Sequence, residues 1–160
     1  MKVSYGRERP SGLWRCGRVL LLALSVCTFG SAVADAGELA GCKVVVNGAV
    51  DGSTVPRDLL ADIFLKKVSR WGNGRPIMAV DQSMNSDVRR QFTRDVLGRN
   101  PYEVLNYWVK QINKGTRPPN VMESDVDVLE YVAGTPGAIG YVSEDASLDG
   151  RQVKVLRIAD

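Results

Sequence analysis

Residues 77–98, IMAVDQSMNSDVRRQFTRDVLG, decide the fold class because a short apolar run leads directly into an amphipathic segment. The run at residues 77–80 predicts a strand that is buried on both faces. In the segment that follows, the apolar residues at helical spacing are Val88, Phe92 and Val96. Asn85 or Ser86 is expected to cap this helix, and Gly98 suits the left-handed residue that ends it. The stretch therefore predicts a strand–helix unit.

Predicted strands and helices also alternate along the rest of the chain. Further strands are predicted at residues 42–46, 138–142 and 153–158. Gly137 and Gly140 are expected to serve a tight turn and close packing beside the 138–142 strand. Alternating strands and helices imply an α/β fold with a mixed, mostly parallel sheet flanked by helices. In such sheets, ligands bind at the carboxyl ends of the strands, beside helix N-termini.

The remaining predicted helices have recognisable starts and apolar faces. Pro56 is expected in the first turn of one helix. Asn100 with Glu103 forms a capping-box pattern for another, and Ser124 starts the last. The expected buried faces are Leu59, Leu60, Ile63 and Phe64, then Val104, Leu105, Trp108, Val109 and Ile112, and finally Val128, Leu129 and Val132.

Residues 1–34 predict a cleaved secretory signal peptide. A basic start precedes an apolar run at residues 19–29, and Ala32 and Ala34 supply the small residues of a cleavage site. The apolar run is too short to span a bilayer comfortably, and an uncleaved anchor is the alternative. We therefore expect residues 35–160 to form one periplasmic domain.

Composition excludes several classes of function. Five of the 21 basic and one of the 18 acidic residues precede Asp35, so the remaining 16 bases and 17 acids give no general electrostatic case for nucleic-acid binding. The absence of histidine excludes imidazole bases and His-rich metal sites. The pairs Asp81/Asp87 and Asp125/Asp127 lack the glycine and distal glutamate of a calcium loop. We expect no enzyme activity, no cofactor and no metal.

Cys42 is the one cysteine of the predicted mature region. Residues 39–42, LAGC, match a bacterial lipobox, which would make Cys42 a lipidated N-terminus. Asp35 and Glu38, however, separate this motif from the apolar run. A free thiol or a dimer-forming thiol is the alternative.

Several segments occur together in a characteristic order and spacing. They are LADIFL at residues 60–65, WGNGRPI at 71–77, VDQ at 80–82, Ser86 with Arg89 and Phe92, VLG at 96–98, and PGAIGYV at 136–142. The set resembles the periplasmic phosphate-binding proteins, specifically a short branch with a single lobe of the type 2 periplasmic binding protein fold. The resemblance implies a domain that binds phosphate or a related oxyanion in ABC-type transport. Its expected partner is an ABC permease or another membrane or periplasmic protein.

In full-length relatives, two lobes close on one phosphate, and the pattern R-x-D-x-S-G-T lies at a helix N-terminus that binds the anion. The matching stretch here is residues 82–88, QSMNSDV, in which Ser86 alone is retained. The ligand contacts that the resemblance implies are Gln82, Ser83, Asn85, Ser86 and Arg89. Asp87 places a negative charge at this helix start, which disfavours a dianion.

The same residues also have a structural interpretation. Ser86 is an ordinary helix cap, and Arg89 and Arg90 are typical of a solvated helix face. The second hypothesis is therefore a partner-binding or scaffold lobe that has lost its ligand and acts through protein–protein contacts. A homodimer is one such assembly.

Overall fold

The computed structural model describes residue 39 and residues 41–159. The predicted signal peptide lies outside the described residues, so its cleavage stays a prediction. Along the described part of the chain, no helix has the length and apolar character needed to cross a membrane. The elements are β1 (Cys42–Asn47), β2 (Thr54–Pro56), α1 (Arg57–Phe64), β3 (Met78–Gln82), α2 (Asp87–Asp95), α3 (Pro101–Ile112), β4 (Asn120–Met122), α4 (Asp125–Gly134), β5 (Ala138–Ser143) and β6 (Val153–Ala159).

The six strands form one mixed sheet in the order β2-β6-β1-β5-β3-β4. Strand β3 pairs in parallel with β4 and β5, and β2 pairs in parallel with β6. Strand β1 is antiparallel to both of its neighbours, β5 and β6. The predicted mixed α/β sheet is confirmed.

Helices cover both faces of the sheet. Val44 and Val46 of β1 point into one apolar cluster with residues of α1 and α2, whereas Val45 points into a second cluster with α4. Helix α4 lies directly on β5, since a Cβ placed on Gly140 would come within 2.7 Å of Cγ1 of Val128. The close packing expected at Gly140 is confirmed.

Three aromatic rings fix α1 and α2 against the sheet. Phe92 of α2 stacks on Tyr141 of β5, with ring centroids 3.9 Å apart and an interplanar angle of 5°. Phe64 of α1 contacts both rings, at 4.6 Å from Phe92 and 5.6 Å from Tyr141. Because Phe92 is buried against Tyr141, α2 is held against β5.

The helix starts follow the predicted caps. Ser86 caps α2, and Asn100 and Glu103 form a complete capping box at α3. Ser124 caps α4. Pro56, however, is the N-cap of α1 and lies outside its first turn.

Two short edge strands were not predicted. The sequence places Thr54 in a turn-rich loop, Pro56 in the first turn of a helix and Asn120 in a proline-containing loop. The three-residue runs 54–56 and 120–122 carry little periodicity of their own. They become strands by pairing with β6 and β3, which is a tertiary effect.

The predicted buried face of α3 is wrong for three of its five residues. Val104 and Trp108 are buried, but Leu105, Val109 and Ile112 are each more than half exposed. Helix α3 packs beside α2 and does not lie on the sheet itself. Other parts of the chain therefore cover only one narrow side of α3. Leu59 of α1, predicted in the core, is likewise exposed.

Cys42 lies at the start of β1 with its side chain in the core, and 2% of its surface is exposed. Burial, reinforced by the carboxylates of Asp95 and Glu144, raises the pKa of this thiol to about 12. A lipid or an intermolecular disulfide on this sulfur would require Cys42 to leave the core. The fold therefore disfavours the lipidated and dimer-forming interpretations and favours the free thiol.

Candidate functional site

The candidate site lies where β3 ends and α2 begins. The two are joined by residues 83–86, and Ser83 N–H donates to the carbonyl of Met122 in the adjacent strand β4 at 2.9 Å. The parallel strands β3 and β4 therefore end together beside the N-terminus of α2. This is the position that the sequence predicted for a ligand site in a parallel sheet.

The hydroxyl group of Ser86 makes two hydrogen bonds within the chain, one as acceptor and one as donor. Its Oγ accepts a hydrogen bond from the backbone N–H of Arg89 at 3.3 Å, which makes it the cap of α2. The same hydroxyl donates to Oε1 of Gln82 at 2.6 Å. Ser86 is therefore a helix cap, and its proton already has an acceptor within the chain.

Gln82 is buried at the end of β3, with 3% of its surface exposed. Its Nε2 donates to Oδ1 of Asp125 at 2.7 Å and to the backbone carbonyl of Tyr141 at 3.0 Å. With the bond from Ser86, these contacts satisfy both side-chain donors and the acceptor. Gln82 thus joins β3, β5 and the starts of α2 and α4.

Asp125 is the first residue of α4 and ties this helix to β5. Its Oδ2 accepts from the backbone N–H of Ser143 at 3.2 Å and also from the Ser143 hydroxyl. Since Oδ1 already accepts from Gln82, the carboxylate is bonded through both oxygens.

Arg89 forms a largely buried ion pair with Asp81. Its Nη1 lies 2.9 Å from Oδ2 of Asp81, and the two side chains are 11% and 15% exposed. Arg89 also donates to the backbone carbonyl of Gln82. The guanidinium that the resemblance assigns to a ligand is neutralised by a carboxylate of the same chain.

Burial dominates the titration behaviour of this cluster. It raises the pKa of Asp81, although the Arg89 guanidinium and hydrogen bonds from Tyr141 and the Gln82 N–H oppose the shift. Burial and the neighbouring Asp81 carboxylate also raise the pKa of the Tyr141 hydroxyl. Tyr141 therefore stays protonated and donates to Asp81.

The remaining predicted ligand residues face solvent. Asn85 is exposed and Ser83 is half-buried, and within the described residues neither side chain makes a hydrogen bond. Asp87, whose side chain is 92% exposed, pairs with Arg90. This pairing weakens the repulsion that the sequence predicted between Asp87 and an approaching anion.

The five predicted ligand residues therefore come together, but they divide into two groups. Gln82, Ser86 and Arg89 bond to other groups of the chain, whereas Ser83 and Asn85 offer free polar groups at the surface.

Sequence reasoning missed Asp81, Asp125 and Tyr141 as members of the cluster. Asp81 follows an apolar strand directly, which is a usable signal. Tyr141 lies inside an apolar run, and Asp125 lies 43 residues from its Gln82 partner, so nothing local marks either.

Throughout residue 39 and residues 41–159, no buried side-chain nitrogen or oxygen lacks a hydrogen-bond partner. The same residues contain no group of three or more Cys, Asp or Glu side chains placed to hold a metal ion. The buried polar side chains of this cluster are therefore satisfied within the chain.

A mixed sheet with helices on both faces and a polar cluster at the strand ends defines the class: the chain has the periplasmic binding protein fold, confirming the resemblance at the level of fold. It is similar to a protein from Clostridium perfringens assigned as a phosphate ABC transporter substrate-binding protein and solved with bound phosphate, with 17% identity and a TM-score of 0.57. It is also similar to an ABC-type phosphate transport receptor from Vibrio cholerae, with 19% identity and a TM-score of 0.56, and to PstS from Borrelia burgdorferi, with 13% and 0.59.

Each of these matches covers 74% of this chain. In the other direction they cover 44%, 46% and 47% of the three solved chains, so this protein spans less than half of their length. No family model matches the sequence, and no curated protein matches it.

Proposed function

We propose that this protein is a non-enzymatic, periplasmic substrate-binding lobe that binds phosphate or a related oxyanion. The observation that carries the proposal is the fold similarity to phosphate-binding proteins of ABC transport, one of them solved with bound phosphate. The expected binding position is the surface at the start of α2. Its partner in transport is an ABC permease or another membrane or periplasmic protein.

The polar groups at the start of α2 support an oxyanion ligand of modest affinity. Ser83 and Asn85 have side-chain donors that are free within the described residues, and the first backbone N–H groups of a helix attract anions. Arg89 is already paired with Asp81, so no buried guanidinium is available to the ligand. We therefore propose contacts from Ser83 and Asn85, with Ser86 holding the helix start in place.

Alanine substitutions test this assignment by separating ligand contacts from the helix cap. Ser83→Ala and Asn85→Ala should each weaken phosphate binding several-fold while leaving the free energy of unfolding nearly unchanged. Ser53→Ala, in an exposed loop away from α2, is the matched control and should change neither. Isothermal titration calorimetry and urea unfolding measure the two quantities. Unchanged phosphate affinity in both site variants would place the ligand elsewhere.

A partner-binding lobe is the second candidate. Two observations favour it: Ser86, Gln82 and Arg89 bond within the chain, and α3 carries an exposed apolar stripe. The stripe consists of Tyr102, Leu105, Val109 and Ile112, each between 53% and 79% exposed. Such a surface is typical of a protein–protein contact.

The double variant Leu105→Gln with Val109→Gln tests whether the stripe is a protein–protein contact. It removes exposed apolar surface and leaves the buried Trp108 unchanged. Light scattering on the wild type and the double variant reports the assembly state. A wild-type dimer that becomes a monomer in the variant supports a homodimer through α3. A wild type that is monomeric at all concentrations counts against it.

A further inference from the structure

Three hydrogen-bond donors converge on the carboxylate of Asp81. Nη1 of Arg89 lies 2.9 Å from Oδ2, and the backbone N–H of Gln82 lies 2.9 Å from Oδ1. The Tyr141 hydroxyl donates to the same Oδ1. A guanidinium, a hydroxyl and a backbone N–H are the groups with which proteins bind oxyanions. The Asp81 carboxylate therefore lies where an external oxyanion would find its donors.

The guanidinium of Arg89 is already engaged within the chain. Its Nη1 contacts the Asp81 carboxylate and donates to the backbone carbonyl of Gln82. The Arg89 side chain is 11% exposed, and the cavity that it lines between α2 and α3 is small. An external oxyanion would therefore have to displace the Asp81 carboxylate to take the same Nη1 donor.

The second arginine near the start of α2 is also paired. Arg90 contacts the carboxylate of Asp87 and donates to the backbone carbonyl of Asn85 at 3.1 Å. The charges of both arginines are thus balanced by carboxylates of the same helix–strand unit. An approaching ligand meets no net positive charge from these two pairs.

We propose that Asp81 is a specificity-determining residue whose carboxylate takes the donors that would otherwise hold an external oxyanion. The ligand of this lobe is thereby restricted to the uncharged donors at the start of α2, which disfavours a tightly held dianion. This inference rests on the proposed function for the position of the site. It concerns a separate set of donors, those of Arg89, Tyr141 and the Gln82 N–H.

Chemical rescue tests the inference on the purified protein. Asp81→Ala vacates a space of carboxylate size surrounded by three donors, and formate is the matching probe. We expect formate to raise the Tm of Asp81→Ala by about 3 °C or more over sodium chloride at equal ionic strength. Formate should not raise the Tm of the wild type, because Asp81 fills the space.

The matched control is the double variant Asp81→Ala with Arg89→Gln, which creates the same space without the guanidinium. It should show no formate-dependent rise in Tm. If Asp81→Ala is unfolded in chloride, formate must restore its far-UV circular dichroism for the inference to stand. An equal effect of formate on the wild type, or no effect on Asp81→Ala, overturns it.

Failure of this inference is distinguishable from failure of the proposed function. Wild-type phosphate binding tests the surface donors of Ser83 and Asn85 and does not enter the rescue experiment. If the wild type does not bind phosphate but formate stabilises Asp81→Ala, the proposed function is wrong and the role of Asp81 stands. If the wild type binds phosphate but formate does not stabilise Asp81→Ala, the proposed function stands and the role of Asp81 is wrong.

Discussion

The hydroxyl of Ser86 donates a hydrogen bond of 2.6 Å to the side-chain oxygen of Gln82. In the pattern that the family resemblance implies, Ser86 matches the serine, and Gln82 stands where arginine is expected. The side-chain oxygen of Gln82 accepts this hydrogen bond, and its amide nitrogen donates to Asp125 and to the backbone of β5. Gln82 is therefore a buried structural junction between β3, β5 and the starts of α2 and α4.

Gln82→Ala is expected to destabilise the fold by about 1–3 kcal/mol, because it removes the partner of the buried Tyr141 carbonyl and of the partly buried Asp125 and Ser86 side chains. Urea unfolding measures the change. The matched control is Gln152→Ala, whose side chain is exposed, and it should change the free energy of unfolding by less than about 0.5 kcal/mol. Equal effects of the two substitutions would contradict the role of Gln82 as a junction.

Gly140→Ala tests the contact between α4 and β5. The added Cβ would lie 2.7 Å from Cγ1 of Val128 and 2.9 Å from Cγ2 of Val80, so the two elements must move apart. We expect a loss of about 1–3 kcal/mol in stability. Gly72→Ala is the control because a Cβ there meets nothing within 4 Å. A Gly140→Ala protein as stable as Gly72→Ala would show that α4 does not pack as described.

The raised pKa of Asp81 should make its contribution to stability decrease as pH rises. Burial raises its pKa in the folded state above the ordinary value of 3.8, so the folded protein binds its proton more tightly than the unfolded chain does. The contribution of Asp81 to the free energy of unfolding therefore decreases as pH rises from 3.8 through the folded-state pKa. Asp81→Asn removes this titration.

The measurement is urea unfolding of the wild type and Asp81→Asn across the acid-to-neutral range. The stability of the wild type minus that of the variant should fall as pH rises and then become constant. A difference that rises with pH would show that Arg89 and Tyr141 outweigh burial.

The thiol of Cys42 should resist alkylation. It is buried and its pKa is raised to about 12, so the reactive thiolate is scarce near neutral pH. Iodoacetamide at pH 8 should leave Cys42 unmodified in the folded protein and modify it fully in urea, as mapped by mass spectrometry. Rapid modification of the folded protein would indicate that β1 begins later in the chain and would restore the lipidated or dimer-forming alternatives.

Local chemistry made the helix starts predictable. Asn100 and Glu103 form their capping box from residues three apart, and Ser86 and Ser124 cap through equally local bonds. The apolar face of α3 was overestimated because periodicity marks which residues share a face. It does not mark how much of that face another element covers, and Leu105 remains exposed.

The position of the polar cluster could be predicted from the sequence, but only some of its contacts could. The strand–helix unit of residues 77–98 places Gln82, Ser86 and Arg89 together, as expected from a parallel strand followed by a helix. Gln82 also bonds to Tyr141 and Asp125, which lie 59 and 43 residues away along the chain. Contacts over such separations are set by the sheet order and carry no local signal.

The most direct test of oxyanion binding is a calorimetric titration of the wild type with phosphate, with sulfate as the related oxyanion and chloride as the ionic-strength control. The account predicts saturable binding with a Kd in the millimolar range, corresponding to about −4 kcal/mol, because Arg89 is already neutralised by Asp81. Absence of saturable heat for both oxyanions would contradict the account and leave the partner-binding lobe as its replacement.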